Sequence, residues 1–277
     1  MKLSGAPNDP TVVDVIERLD MPDVQDLGIV IDHGDGHPVS RLTVDDYDAS
    51  ARRLRTLFPQ TGYWPLLLLE DIVFERDVPR APTSTDMATM LTQGWRHEDI
   101  VTGVEAVKLA AGLALDDAPY CGIFGGRPAG STPEIRPQSA HPYPEEAAVL
   151  GRGWLPRHGL LLVPVRAPWE SLAHIGFGSW NESPADAGHV RFQRYLWEAC
   201  QGVVSAVGCS RMNVEMPRPP QDLTTAFLLA SRLFEYCRDL ETVMSDFLNA
   251  DPDEQDFTAL LVGILTSGLP VLPLWWD

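Results

Sequence analysis

The sequence predicts an α/β (or α+β) fold in which a mixed β-sheet carries helices packed on its faces. Short runs rich in leucine and β-branched residues alternate with longer segments whose apolar residues recur every three or four positions. In the C-terminal half this alternation gives the order strand, helix, hairpin, helices and terminal strand. A hydrophobic content of 44% in 277 residues supplies enough apolar side chains for a sizeable core.

The N-terminal part is expected to contain two strands, one of them apolar throughout. Residues 66–69 are four consecutive leucines, which is typical of a strand that is buried on both faces. Because proline lacks a backbone N–H, Pro59 is expected to end the helix that precedes it. The predicted elements are a strand at 27–31, a turn at 32–37, a helix at 44–57, a strand at 62–69, and helices at 84–94 and 100–115.

A segment rich in proline and glycine follows. Three glycines and five prolines between positions 125 and 144 oppose a regular helix or strand. The segment also lacks the Gly-x-x-x-x-Gly-Lys-Ser/Thr pattern of a phosphate-binding loop. The sequence therefore predicts an N-terminal α/β part at 1–124, a linker or long surface loop at 125–146, and a C-terminal domain at 147–277.

The C-terminal domain carries the clearest local signals. Asp222 is a suitable N-cap for a helix with one continuous apolar stripe, and Ser183 followed by Pro184 predicts the start of another helix. Pro164 indicates that its strand is an edge strand or ends irregularly. The predicted elements are a strand at 159–166, a helix from 183 to about 200, an antiparallel hairpin of 203–207 and 212–216 with one packed and one wet face, a helix from 222, helices at 239–250 and 256–267, and a strand at 269–276.

The charge balance limits the classes of partner. The net charge is −18 and the isoelectric point is near 4.6. Such a field repels nucleic acids and anionic membranes and attracts a basic protein, although many proteins are acidic for solubility alone. We therefore expect no nucleic-acid or membrane binding. The oligomeric state does not follow from the sequence.

Cysteine and histidine usage argues against a metal site or a cofactor. Four cysteines are widely spaced without a Cys-x-x-Cys pair, and seven histidines are scattered along the chain. No secretory signal or membrane-spanning run is visible, and reduced thiols are the expectation. The sequence thus predicts a soluble, cytoplasmic protein without a metal or cofactor.

Three short motifs supply the candidate site residues. The loop at 178–184 places an indole, an amide and a carboxylate side by side, as at the mouth of a pocket; alternatively, these groups bond the loop's own backbone. Cys237 lies on an apolar stripe and is expected to be a buried, inert thiol. The candidate binding residues are Trp180, Asn181, Glu182, Tyr236, Trp275 and Trp276, and the candidate catalytic carboxylates are Glu182, Asp239 and Asp277.

Each of the C-terminal candidates also has a structural alternative. On a strand, adjacent Trp275 and Trp276 point to opposite sides, so one is expected in the core and the other at a cover or contact surface. Asp277 combines two carboxylates and is expected to form a salt bridge. A Ser-His-Asp hydrolase is not indicated, because the sequence has no Gly-x-Ser-x-Gly and Ser179 lies in a glycine-rich turn.

The order of several motifs resembles the bacterial domain-of-unknown-function 4253 family. The motifs are Thr-Gly-Tyr-Trp-Pro-Leu-Leu (61–67), Pro-Trp-Glu (168–170), Gly-x-Trp-Asn-Glu-x-Pro (178–184), Arg-Pro-Pro (218–220), Tyr-Cys-x-Asp (236–239) and Trp-Trp-Asp (275–277). This sequence departs from the family pattern at Ser183, which stands in place of a cysteine, and at Arg238, which stands in place of a proline. The resemblance implies no established activity, and Ser183 opposes a thiol-based role for its motif.

Three functional hypotheses follow. The first is a non-catalytic interaction protein, of the immunity type, that engages a basic partner through its acidic field and exposed tryptophans. The second is an enzyme or binder of a small molecule whose pocket is built from the three motifs. The third is a purely structural domain in which the motifs serve packing. No motif identifies a reaction, so the sequence leaves open whether the protein is an enzyme.

Overall fold

A computed structural model confirms the α/β fold, with a mixed seven-stranded sheet and helices on its faces. It describes residues 25–31, 38–70, 83–93, 143–155, 159–178, 183–184, 186–251, 253 and 255–277. The predicted turn at 32–37, the helix at 100–115 and most of the proline-rich segment lie outside these residues. The strands are β1 (Gln25–Ile31), β2 (Val39–Thr43), β3 (Tyr63–Leu68), β4 (Gly159–Pro164), β5 (Val203–Val207), β6 (Arg211–Glu215) and β7 (Val271–Trp275).

Most of the helices in the described residues lie in the C-terminal half of the chain. A single 3-10 turn, Pro168–Glu170, leads directly into the short helix α4. None of the helices in the described ranges is long and apolar enough to cross a membrane. The α-helices are α1 (Tyr47–Thr61), α2 (Ser84–Gln93), α3 (Pro144–Leu150), α4 (Ser171–His174), α5 (Asp186–Cys200), α6 (Leu223–Tyr236), α7 (Leu240–Leu248) and α8 (Phe257–Thr266).

The strand order is β1-β2-β4-β3-β5-β6-β7. All neighbours pair antiparallel except β3 and β5, which are parallel. Because β4 lies between β2 and β3, the prediction that its proline marks an edge strand is wrong. Pro164 is instead the last residue of the strand, opposite Tyr63, where a missing N–H disturbs the ladder little. The sheet includes strands from both sides of the predicted linker, and the division into domains stays a prediction.

Both faces of the sheet are covered, which explains the apolar run of β3. Alternate residues of this strand enter two separate cores: Leu66 and Leu68 the larger one, Leu67 the smaller. Helix α1 covers the smaller core, and α5, α6 and α8 contribute to the larger one. All six residues of β3 are buried as a result, as the sequence predicted.

Helix α6 begins where local chemistry predicts, whereas α1 does not end where it predicts. The carboxylate of Asp222 accepts the backbone N–H of Thr225, as predicted for the N-cap of α6. Pro59, in contrast, does not end α1, which continues to Thr61. The helix ends at Gly62, whose φ of 71° and N–H bond to the Phe58 carbonyl form a left-handed C-cap.

The hairpin of β5 and β6 forms as predicted, but the centre of the face expected to be exposed to solvent is covered. The polar residue at the middle of β6, Asn213, is buried. Its side-chain oxygen accepts the Trp154 N–H at 2.8 Å and its amide donates to the Trp154 carbonyl at 2.7 Å. The segment after α3 therefore covers this face, and the buried amide is satisfied by two backbone hydrogen bonds.

Candidate functional site

A buried polar cluster joins the predicted motifs of the C-terminal half. We call it the His189 cluster; it consists of Phe177, Ser183, His189, Tyr236 and Trp276. His189 lies on the buried stripe of α5 together with Phe192 and Leu196. Tyr236 is the last residue of α6, and Trp276 directly follows β7. The cluster therefore links two helices, the last strand and the chain at 183–184.

A continuous chain of hydrogen-bonding atoms crosses this cluster. Ser183 Oγ lies 3.0 Å from His189 Nε2, and His189 Nδ1 lies 2.5 Å from the hydroxyl of Tyr236. The Tyr236 hydroxyl also donates to the sulfur of Met212 at 3.9 Å, a weak acceptor. Both ring nitrogens of His189 thus have a hydroxyl partner.

Aromatic rings enclose the imidazole. Its centroid lies 5.1 Å from Phe177, 5.5 Å from Tyr236 and 5.6 Å from Trp276, each ring nearly edge-on. The ring of Phe192 stacks on Tyr236 at 3.7 Å. Ser183 is 8% exposed, Tyr236 is 5% exposed and His189 is fully buried, so all three polar groups are buried and the serine is the least so.

Gly178 is required by this arrangement. Its φ is +109°, a conformation that side-chain-bearing residues rarely adopt. A Cβ atom at this position would lie 2.5 Å from His189 Nε2 and 2.5 Å from the Pro184 carbonyl oxygen. The first residue of the Gly-x-Trp-Asn-Glu-x-Pro motif therefore makes room for the imidazole of a histidine outside the motif.

Burial dominates the electrostatics of the cluster. It lowers the pKa of His189 to about 3, and the nearby Pro184 carbonyl opposes this only in part, so the imidazole is neutral at pH 7. Burial raises the pKa of Tyr236 well above its ordinary value, so this hydroxyl stays protonated. It also raises the pKa of Cys237 to about 12; the predicted burial of this thiol is confirmed, and its inertness stays a prediction.

The structure brings several predicted site residues together. Tyr236 and Trp276 are both buried, and their ring centroids lie 5.4 Å apart. The Asp277 backbone N–H donates to the Asp239 carboxylate at 3.0 Å, so these two carboxylate residues are neighbours at the surface. Trp275 is half-buried, and its carbonyl accepts from the Cys237 thiol.

The loop candidates Trp180, Asn181 and Glu182 lie outside the described residues. The binding and catalytic roles assigned to all the candidate residues therefore stay predictions, as does the salt bridge of Asp277. Of the two tryptophans, Trp276 is the core residue and Trp275 is the partly exposed one, as the alternation on a strand predicts. Within the described part of the chain, no group of three or more His, Cys, Asp or Glu side chains is placed to hold a metal ion.

Sequence reasoning missed the pairing of Ser183 with His189. Ser183 was expected to cap α5, but the helix begins at Asp186, and the hydroxyl faces the imidazole six residues further on. A signal was present: His189 follows the stripe spacing of Phe192 and Leu196, and a histidine on a buried stripe needs hydrogen-bonding partners. Which residues supply those partners depends on tertiary packing.

A buried carboxylate, that of Glu170, lies near the start of this region and has a structural explanation. Glu170 accepts the backbone N–H of Arg166 at 3.0 Å and so closes the turn before α4. Burial raises the pKa of this carboxyl group, while the backbone hydrogen bonds lower it in part. Glu170 is the last residue of the Pro-Trp-Glu motif, and its hydrogen bond gives this motif a structural role in the turn.

The comparisons with known proteins give one finding. No curated protein and no solved structure matches the chain. The match to a family model begins at β4 and continues to the last residue, so the similarity noted at 61–67 lies outside it. The model of the family described as Domain of unknown function (DUF4253) matches residues 159–277 of the chain.

Proposed function

We propose that the chain is an interaction protein that binds a basic protein partner through an acidic surface on its C-terminal domain. The observation that carries the proposal is the charge of residues 239–256, which include seven acidic and no basic residues. This segment comprises α7 and the connection to α8. A dense surface of one sign steers and orients a partner of opposite charge.

The acidic face consists of the surface carboxylates of this segment and its neighbours. Helix α3 packs against α7 and adds two further carboxylates, and Asp277 lies beside Asp239. Three ion pairs, which join Arg55 to Glu215, Arg194 to Glu198 and Arg211 to Glu70, involve other carboxylates. The members of the face are Asp239, Glu241, Asp246, Asp251, Asp253, Asp256, Asp277, Glu145 and Glu146.

Helix α7, which carries several members of the acidic face, is packed against the core. Leu240, Val243 and Met244 of α7 are buried in the larger core, so the exposed carboxylates of this helix have a fixed direction. Some members also stabilise the backbone: Asp256 caps α8 by accepting two N–H groups, and Asp251 accepts the N–H two residues further on. Glu241 and Asp246 are exposed members with no such role and are the best positions for a test.

The test compares two variants of equal net charge. Glu241→Lys/Asp246→Lys changes the acidic face, and Asp45→Lys/Asp48→Lys changes exposed carboxylates near the start of α1 by the same four charges. Binding to poly-L-lysine of defined length is measured by calorimetry at several salt concentrations. We expect the first variant to lose at least tenfold in affinity and the control to lose less than threefold.

Two results would contradict the proposal. Equal losses in both variants would mean that only the overall charge attracts the polycation, and that residues 239–256 form no particular surface. Absence of binding by the unaltered protein at 0.15 M salt, where exposed charges more than about 8 Å apart are largely screened, would reject the interaction itself.

A further inference from the structure

We propose that Ser183 is a nucleophile, that His189 is its general base and that Tyr236 positions the base, so that the domain accepts an acyl group from small carboxylic esters. This activity goes beyond the binding of a basic partner and does not depend on it. The carrying observation is the hydroxyl–imidazole–hydroxyl chain, with Ser183 Oγ 3.0 Å from Nε2 and Tyr236 OH 2.5 Å from Nδ1. Nucleophile, base and orienting group in hydrogen-bond contact are the arrangement of activated serines on many unrelated folds.

One consistent assignment of hydrogen-bond donors and acceptors runs from Tyr236 through His189 to Ser183. The Tyr236 hydroxyl has the Met212 sulfur as an acceptor for its own proton, which leaves its oxygen to accept from His189 Nδ1–H. Nε2 then presents a lone pair to Ser183, whose hydroxyl donates to it. In this tautomer the imidazole can take the serine proton, and Tyr236 fills the place that a carboxylate occupies in the Ser-His-Asp arrangement.

The Pro184 carbonyl supports the charged state that follows proton transfer. It lies beside the imidazole and favours the protonated ring, which opposes part of the effect of burial. Once Nε2 carries the proton, its N–H can donate to this carbonyl. A neutral phenol in place of a carboxylate stabilises the imidazolium less, and the surrounding aromatic rings exclude water. We therefore expect a slow reaction.

The exposed fractions agree with a nucleophile at the edge of the site. Ser183 is 8% exposed, against 5% for Tyr236 and 0% for His189, and it lies three residues before the start of the 15-residue helix α5. The positive end of the dipole of such a helix favours the negative charge that develops on a carbonyl oxygen under attack. Cys200 and Cys237 are buried thiols with raised pKa values and do not compete as nucleophiles.

The reaction balances without a redox partner. Ser183 Oγ forms a bond to the ester carbonyl carbon as its proton passes to His189 Nε2. The C–O bond to the leaving alcohol then breaks, and the alcohol leaves with that proton. Water attacks the acyl-serine, gives its proton to Nε2, and releases the carboxylic acid as the serine recovers its proton.

The first test uses a small organophosphorus reagent. With diisopropyl fluorophosphate, Ser183 Oγ displaces fluoride from phosphorus and the hydroxyl proton leaves with it. We expect stoichiometric addition to the full chain at Ser183, located by peptide mass spectrometry. Ser183→Ala should abolish the addition, and His189→Gln should slow it by about 100-fold or more. Ser171→Ala is the matched control and should react like the unaltered protein, since Ser171 is a buried serine whose hydroxyl has no hydrogen-bond partner within the described residues.

The second test measures the tautomer, so that the proposal remains testable where a variant fails to fold. Nitrogen-15 NMR of the unaltered protein at pH 7 should show His189 protonated at Nδ1 and unprotonated at Nε2. Tyr236→Phe removes the acceptor for Nδ1–H and should shift the proton toward Nε2. Protonation at Nε2 in the unaltered protein, or no labelling of Ser183 above the Ser183→Ala background in the folded protein, would overturn the proposal.

Discussion

The His189 cluster and the acidic face both contain several polar groups, but the cluster is buried whereas the face is exposed to solvent. In the cluster, two hydroxyls and an imidazole are enclosed by aromatic rings and bond to one another. On the acidic face, carboxylates such as Glu241 and Asp246 point into solvent. A change of charge is therefore costly inside the cluster and nearly free on the face, because only the cluster must be dehydrated.

Low pH should lower the free energy of unfolding, because the buried imidazole of His189 must then bind a proton. The ordinary histidine pKa is near 6.5 and that of His189 is about 3, so the unfolded chain binds more protons in this range. Stability contributed by His189 is therefore complete above pH 6.5 and is lost as the pH falls toward 3. The full loss is at most about 5 kcal/mol, of which about 2 kcal/mol appears between pH 7 and pH 5.

Urea unfolding of the unaltered protein and of His189→Gln at pH 7 and pH 5 checks this expectation. The amide of glutamine does not titrate, so the variant should lack this part of the pH dependence even though it is less stable at pH 7. If the free energy of unfolding changed equally between pH 7 and pH 5 in both proteins, the burial of His189 would not contribute to the pH dependence of stability.

The two C-terminal tryptophans form the next test. Trp276 is fully buried in the cluster, and its indole N–H donates to the Tyr236 carbonyl at 3.2 Å. Trp276→Ala should therefore lower the free energy of unfolding by about 3–5 kcal/mol. Trp275 is half-buried, so Trp275→Ala should cost roughly 1–2 kcal/mol. Chemical denaturation measures both, and equal costs would contradict the assignment of only Trp276 to the core.

The smallest effect is expected on the acidic face. Glu241→Lys and Asp246→Lys replace exposed carboxylates among other carboxylates, and each should change the free energy of unfolding by no more than about 0.5 kcal/mol. Thermal and urea unfolding at low salt measure the change. A loss above about 2 kcal/mol would mean that these carboxylates stabilise the fold, and their use as a binding surface would then be doubtful.

The sequence alone determined those elements whose signals are local. The N-cap of α6, the apolar stripe of α6 and the unbroken leucine run of β3 each depend on residues within a few positions of one another. The charge of residues 239–256 is likewise a property of the chain itself. Helix periodicity, capping and burial on both faces are short-range rules, so these predictions could be made without the fold.

Only the tertiary structure decided which distant residues meet. It placed β4 inside the sheet, covered Asn213 with the backbone of Trp154, and joined His189 to Tyr236 across 47 positions of the chain. Local sequence patterns predict which side of a strand or helix is buried, but they do not predict which other element packs against that side. The neighbours of His189 follow from the packing of α5, α6 and β7 around one core, and packing is a long-range outcome of the whole chain.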